Sequence, residues 1–147
     1  MNPAPAPSLA EAELASRLRL AVTRLARRLR IQLPGELSPS QLATLSSVER
    51  LGPLTLGELS NVERVKPPTM TKIVACLEEQ GLVSRTVDEK DRRVARVRAT
   101  RAGLRFLEES RQQKDAYLAE RLRGLGPADQ AALQRAADVL ERLLEES

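Results

Sequence analysis

PPTMTKIVACLEEQGLVSRTVDEKDRRVARVRAT, residues 67 to 100, changes its periodicity halfway along. In its first part Met70, Ile73, Val74 and Leu77 recur at intervals of three and four, the spacing that gathers side chains on one face of a helix. Pro67-Pro68 suits the start of that helix, because its first turn has no use for an N–H, and Gly81 suits its end. Beyond Gly81 the period shortens to two. LVSRTV (82 to 87) and VARVRAT (94 to 100) read as two strands, with Ala95, Val97 and Ala99 on one side and Arg96 and Arg98 on the other. The six residues between them, Asp88 to Arg93, are too many for a two-residue turn and too polar to bury. They predict a projecting loop, a wing, whose tip carries Lys90, Arg92 and Arg93 around Asp91.

Upstream, two polar brackets announce helix starts. Ser38-Pro39-Ser40-Gln41 opens a helix to about Leu51, with Leu42, Leu45 and Val48 inward, and Gly52-Pro53 stops it. Thr55-Leu56-Gly57-Glu58 opens a short one that ends near Asn61. After a turn of about five residues comes the helix at Pro67, so the two form a helix-turn-helix pair, an arrangement that most often does not bind DNA. The outward residues of the second helix favour DNA. Thr69, Thr71 and Lys72 sit near its start, while its acids, Glu78 and Glu79, come at its end. That polarity suits a helix whose start enters the major groove, where a threonine meets a thymine methyl and a lysine reaches guanine.

Further out, Leu14, Leu18, Val22, Leu25 and Leu29 make a stripe on a first helix to about Gln32, after which LPGELSP breaks the pattern. Residues 1 to 8, MNPAPAPS, predict an extended tail. Thr100-x-x-Gly103 starts a long helix to about Gly124 containing Leu104, Leu107, Leu118 and Leu122. Gly126-Pro127 precedes a last one with Leu133, Ala136, Ala137, Leu140, Leu143 and Leu144 on one face. The expected fold is mainly α with a small two-stranded β wing. Its winged helix-turn-helix occupies about 38–100, within a single domain of 9–147.

Composition narrows the function. Hydrophobic residues make up 41% and charged residues 30% of 147, as in a globular helical protein. Residues 17 to 30 hold six arginines and no acid, and residues 83 to 105 hold eight basic against three acidic residues, whereas residues 106 to 147 hold six basic against nine acidic. A basic face beside an acidic tail is what a protein facing a polyanion carries. The absence of histidine and the single cysteine remove the usual zinc, haem and imidazole arrangements, and no phosphate-binding glycine loop occurs. No cofactor is expected, and an enzyme relying on carboxylates alone would need a paired-acid cleft that the sequence does not announce. No apolar run reaches membrane-spanning length and no signal pattern opens the chain, so the expected location is the cytoplasm.

The segment TKIVACLEEQGLVSR (71 to 85), then Asp91-x-Arg93, then Thr100-x-x-Gly103, together resemble the multiple-antibiotic-resistance regulator (MarR) family. The resemblance covers the chain beyond the tail. It implies a homodimer whose outer helices, about 9–32, 100–124 and 127–146, interlock, and a transcriptional regulator, usually a repressor, of pseudo-palindromic double-stranded DNA. It also implies that the helix at 67–80, through Pro68, Thr69, Thr71 and Lys72, enters the major groove while the wing, through Lys90, Arg92 and Arg93, enters the minor groove. An exposed arginine at a loop tip is what a narrow, electronegative minor groove attracts. Asp91 is assigned to orienting a neighbouring arginine, and Ser40 and Arg85 are candidate phosphate contacts. The dimer has its own argument: three leucine-striped helices exceed what one small winged core covers.

Regulation is less legible. Some relatives sense oxidants through a cysteine in the first helix, where this chain has none. Cys76, in the recognition helix, reads as a half-buried structural residue, with a redox role as the alternative. Many relatives bind small aromatic acids between the dimer helices and the winged core. Arg17, Arg24 or Arg28 could face such an anion, although a solvated face fits them better and the scarcity of aromatics removes a stacking platform. A winged-helix adaptor that binds protein instead of DNA is the competing reading. It calls for an acidic or apolar recognition helix and wing.

Overall fold

Both polar brackets close as reciprocal hydrogen bonds. The Ser38 hydroxyl accepts from the Gln41 N–H at 3.2 Å while the Gln41 side chain accepts from the Ser38 N–H at 3.0 Å, and Thr55 and Glu58 do the same at 3.1 and 2.9 Å. These brackets start two of the six helices in the computed structural model of the chain, which describes residues 5–31 and 37–146. In order the elements are α1 (Leu9–Ile31), α2 (Pro39–Leu51), β1 (Leu54–Thr55), α3 (Leu56–Glu63), α4 (Pro67–Glu79), β2 (Val83–Val87), β3 (Ala95–Ala99), α5 (Arg101–Arg123) and α6 (Pro127–Glu145). The first half of the predicted tail, the end of the first helix at Gln32 and most of the LPGELSP break lie outside the described residues.

The described residues divide into two units, one within 33–112 and the other formed by the remainder. The first is the winged helix. Leu45 and Val48 of α2, Leu59 of α3, Met70, Ile73, Val74 and Leu77 of α4, Val83 and Val97 of the strands and Leu107 of α5 make one buried cluster. All four inward residues predicted for α4 are in it. The predicted wing strands pair antiparallel from Val83↔Ala99 to Val87↔Ala95. A third, two-residue strand joins them: Leu54↔Val97 and Thr55↔Arg96 give the sheet order β1-β3-β2. So short a strand leaves no alternation to read, and only its partner reveals it.

Two helix ends use the same device. At the end of α4, Gly81 is left-handed (φ 72°), its N–H donates to Glu78 O at 3.0 Å and the Leu82 N–H donates to Leu77 O at 3.0 Å. This is the Schellman closure. At the end of α3, Arg64 takes Gly81's place (φ 53°), with its N–H on Asn61 O at 3.3 Å and the Val65 N–H on Ser60 O at 3.1 Å. α3 therefore runs two residues beyond the predicted Asn61, and the turn to α4 is three residues long, because Val65 folds back against the core.

Thr100-x-x-Gly103 is a packing joint. The Thr100 hydroxyl donates to Gly81 O at 2.6 Å and accepts from the Gly103 N–H at 3.1 Å, capping α5. A Cβ on Gly103 would stand 2.1 Å from Leu82 O, so only glycine admits this approach. Gly103, Leu107 and Ser110 bury the first part of α5, and the winged unit accordingly reaches residue 112, beyond the predicted 100.

In the other unit, neither α1 nor α6 has a buried residue. Leu14, Leu18, Val22 and Leu25 of α1 and Leu133, Leu143 and Leu144 of α6 all stand exposed. No helix among the described residues is long and apolar enough to cross a membrane.

Candidate nucleic-acid interface

Packing on α2 and α3 turns Met70, Ile73, Val74 and Leu77 inward and leaves the opposite face of α4 outside. Pro68, Thr69, Thr71 and Lys72 are all exposed there, within its first half. The Thr71 hydroxyl donates to Pro67 O at 3.0 Å, which leaves its oxygen available as an acceptor. Cys76 is half-buried, and its sulfur accepts from the Gln80 amide at 3.5 Å. Ser40 is exposed in the first turn of α2, where its carbonyl holds the Thr44 hydroxyl at 2.9 Å.

The wing turns without glycine or asparagine because two aspartates take over the backbone. The Asp88 carboxylate accepts from the Lys90 N–H at 2.8 Å, and that of Asp91 accepts from the Arg93 N–H at 3.1 Å. Such side-chain-closed turns are a speciality of aspartate and asparagine. The acids in this basic tip are thus its scaffold. Asp91 also holds the Arg93 guanidinium, Nε to Oδ1 at 3.1 Å and an Nη to Oδ2 at 3.3 Å, and this arginine keeps the Asp91 carboxyl below its ordinary value. Even so, the Arg93 side chain is 90% exposed. Lys90 and Arg92 are exposed beside it.

Besides Arg93, two further arginines read from the sequence are engaged. Arg85, a candidate phosphate contact, lies 3.3 Å from Glu78 and ties β2 to the end of α4. Arg96, read only as an outward strand residue, stands 3.6 Å from both Glu58 and Asp88. It links the wing base to the residue that caps α3. Sequence offered no sign of this, since the three partners are brought together by the pairing of β3 with β1 on one side and with β2 on the other. Arg17, Arg24 and Arg28 lie on exposed surface of α1. Among the described residues no group of three or more acidic or cysteine side chains is placed to hold a metal ion.

The unit therefore presents an exposed hydroxyl and cation cluster at a helix start, with a cationic loop on the same winged core. Residues 37–95 match the sequence profile of the MarR family. A helix-turn-helix transcriptional regulator of Mycobacterium bovis is 38% identical over 93% of this chain and 96% of its own. The chain belongs to the MarR family. A MarR family protein from Bacillus stearothermophilus superposes with a TM-score of 0.78 at 30% identity, over 96% of this chain and 99% of its own. A transcriptional regulator protein from Pseudomonas aeruginosa does so at 0.83 and 31%, over 94% and 98%. As a MarR-family transcriptional regulator the chain is a DNA-binding protein of winged-helix fold and not an enzyme.

Proposed function

We propose that this MarR-family chain is a repressor that binds a pseudo-palindromic operator as a homodimer. The start of α4 lies in the major groove, with Thr69, Thr71 and Lys72 toward the bases, Pro68 against them, and the wing with Lys90, Arg92 and Arg93 in the adjacent minor groove. The observation that carries this is the outward set on the first half of α4: hydroxyls and a lysine, with no acid until Glu78. An adaptor docking on protein would present an apolar or acidic surface there. Asp91 aims Arg93, Ser40 is placed for phosphate, and Arg85 contacts phosphate only by giving up Glu78. Two copies bind one face of B-DNA with half-sites roughly 34 Å apart.

Helices α1 and α6 supply the dimer surface, because their leucine stripes stand exposed among the described residues. A small anionic or aromatic ligand that releases DNA has room in a groove of about 320 Å³ on the winged unit, lined by Val48, Pro53, Ala99 and Leu104 and by the oppositely charged Glu49 and Arg98. The site of action is the cytoplasm.

The test is titration of the purified protein against the intergenic DNA beside its gene, over a range of salt and against scrambled competitor. Saturable, competitor-resistant binding that weakens steeply with salt is expected. Arg93→Ala should cost roughly 1 to 3 kcal/mol of binding, mostly at the A·T-rich flanks, and Lys72→Ala should weaken binding and relax base preference. If neither substitution changes affinity, the assigned face is wrong.

A further inference from the structure

The turn between α3 and α4 puts a residue where its backbone does not favour it. Arg64 and Gly81 occupy the same position of the same Schellman closure, each left-handed, each followed by an apolar residue that folds back to the core. Glycine adopts that conformation without strain, whereas a residue with a Cβ is strained there. Among the described residues no contact holds the arginine: its side chain is half-buried and makes no hydrogen bond or ion pair with any of them. Nor does that of Lys66, two residues on and exposed. Neither charge has a side-chain partner among the described residues.

A second feature points to a purpose. Helix starts usually offer unsatisfied N–H groups, and those bind phosphate readily. This one offers none in its first turn. Pro67 and Pro68 have no N–H, and the N–H groups of Thr69 and Met70 both donate to Lys66 O, at 3.0 and 3.1 Å. A recognition helix in the major groove has the sugar-phosphate backbone beside its start, so with the first-turn N–H groups removed or engaged, holding a phosphate there falls mainly to side chains.

We propose that Arg64 and Lys66 form a phosphate clamp, in place of the missing backbone donors, on the DNA strand that borders the start of α4. This rests on the DNA-binding reading. The clamp adds affinity and no base preference, since phosphate contacts position a protein without reading sequence. The arginine is kept there at the expense of folding stability.

The two effects have opposite signs in one substitution. Arg64→Gly removes the charge and relieves the left-handed strain. Its melting temperature should rise by roughly 2 to 4 °C. Affinity for the gene's own intergenic DNA and for a mixed-sequence duplex should fall alike, roughly three- to tenfold at moderate salt, with the salt slope smaller by about 1 per protomer. Arg64→Lys should keep the slope. Lys66→Ser, which removes the second charge and supplies an N-cap hydroxyl to α4, should also gain stability and lose affinity on both duplexes. If the wild-type chain binds DNA and both Arg64→Gly and Lys66→Ser bind it with unchanged affinity and slope, the clamp is overturned and the regulator reading stands. If the wild-type chain binds neither duplex even at low salt, the DNA reading falls and the clamp with it.

Discussion

Gly103 is the residue on which the winged unit depends most narrowly. Its missing side chain lets α5 start against the carbonyl of Leu82, which already accepts the Thr100 N–H at 3.0 Å. An alanine there meets backbone, which cannot rotate aside as a side chain can, and its Cβ also comes within 3.3 Å of Leu45 Cδ1 in the core. Gly103→Ala is expected to destabilise by about 3 kcal/mol in urea unfolding. A loss of no more than about 0.5 kcal/mol would show that α5 can slide away at little expense. The T-x-x-G pattern was legible in sequence as a helix start. Its second duty, a contact 21 residues back along the chain, was not.

Between elements, ion pairs do what the apolar core cannot: they set direction. Arg111 of α5 grips Glu49 of α2 with two hydrogen bonds, at 2.5 and 3.1 Å. Arg96 joins the wing base to the start of α3, and Ser47 of α2 donates to Glu63 of α3. Hydrogen bonding to Arg111 holds the Glu49 carboxyl below its ordinary value of 4.5. Its folded form thus releases its proton more readily than its unfolded form, and stability rises with pH between the two values. The contribution is complete above the ordinary value and disappears as pH falls through the folded one. The gap in melting temperature between the wild type and Glu49→Gln should therefore be constant above about pH 5 and close at lower pH. A gap that persists unchanged to about pH 3 would mean that Glu49 acts by packing instead of charge. The pair is half-exposed, so its worth lies more in aiming α5 than in stability.

For the whole molecule, the question is what covers α1 and α6. Helices in proteins draw most of their stability from packing an apolar face, and both of these have stripes of exposed leucine. A second copy fits, since two identical apolar faces are self-complementary. Leu140→Glu, in the middle of the α6 stripe, is expected to shift sedimentation to the mass of one chain and to weaken operator binding severely, because one half-site alone then carries the affinity. The wild-type melting temperature should also fall on dilution. If Leu140→Glu sediments like the wild type, another surface holds the copies together.

Sequence by itself determined the elements and their faces. Caps, proline starts, glycine ends and the inward sets of α2 and α4 depend on residues no more than about four apart, and this range is where local sterics and hydrogen bonding act. It also determined the cationic wing, because charge density needs no partner to be seen. The tertiary structure decided what depends on distant neighbours: the third strand, the pairing of Arg111 with Glu49 and of Arg96 with Glu58 and Asp88, and the extension of the winged unit into α5. It also placed Arg64 in a left-handed turn, against the preference of its own backbone. Local rules would put glycine there, and only the need to bring Val65 to the core and start α4 at once imposes that geometry on an arginine.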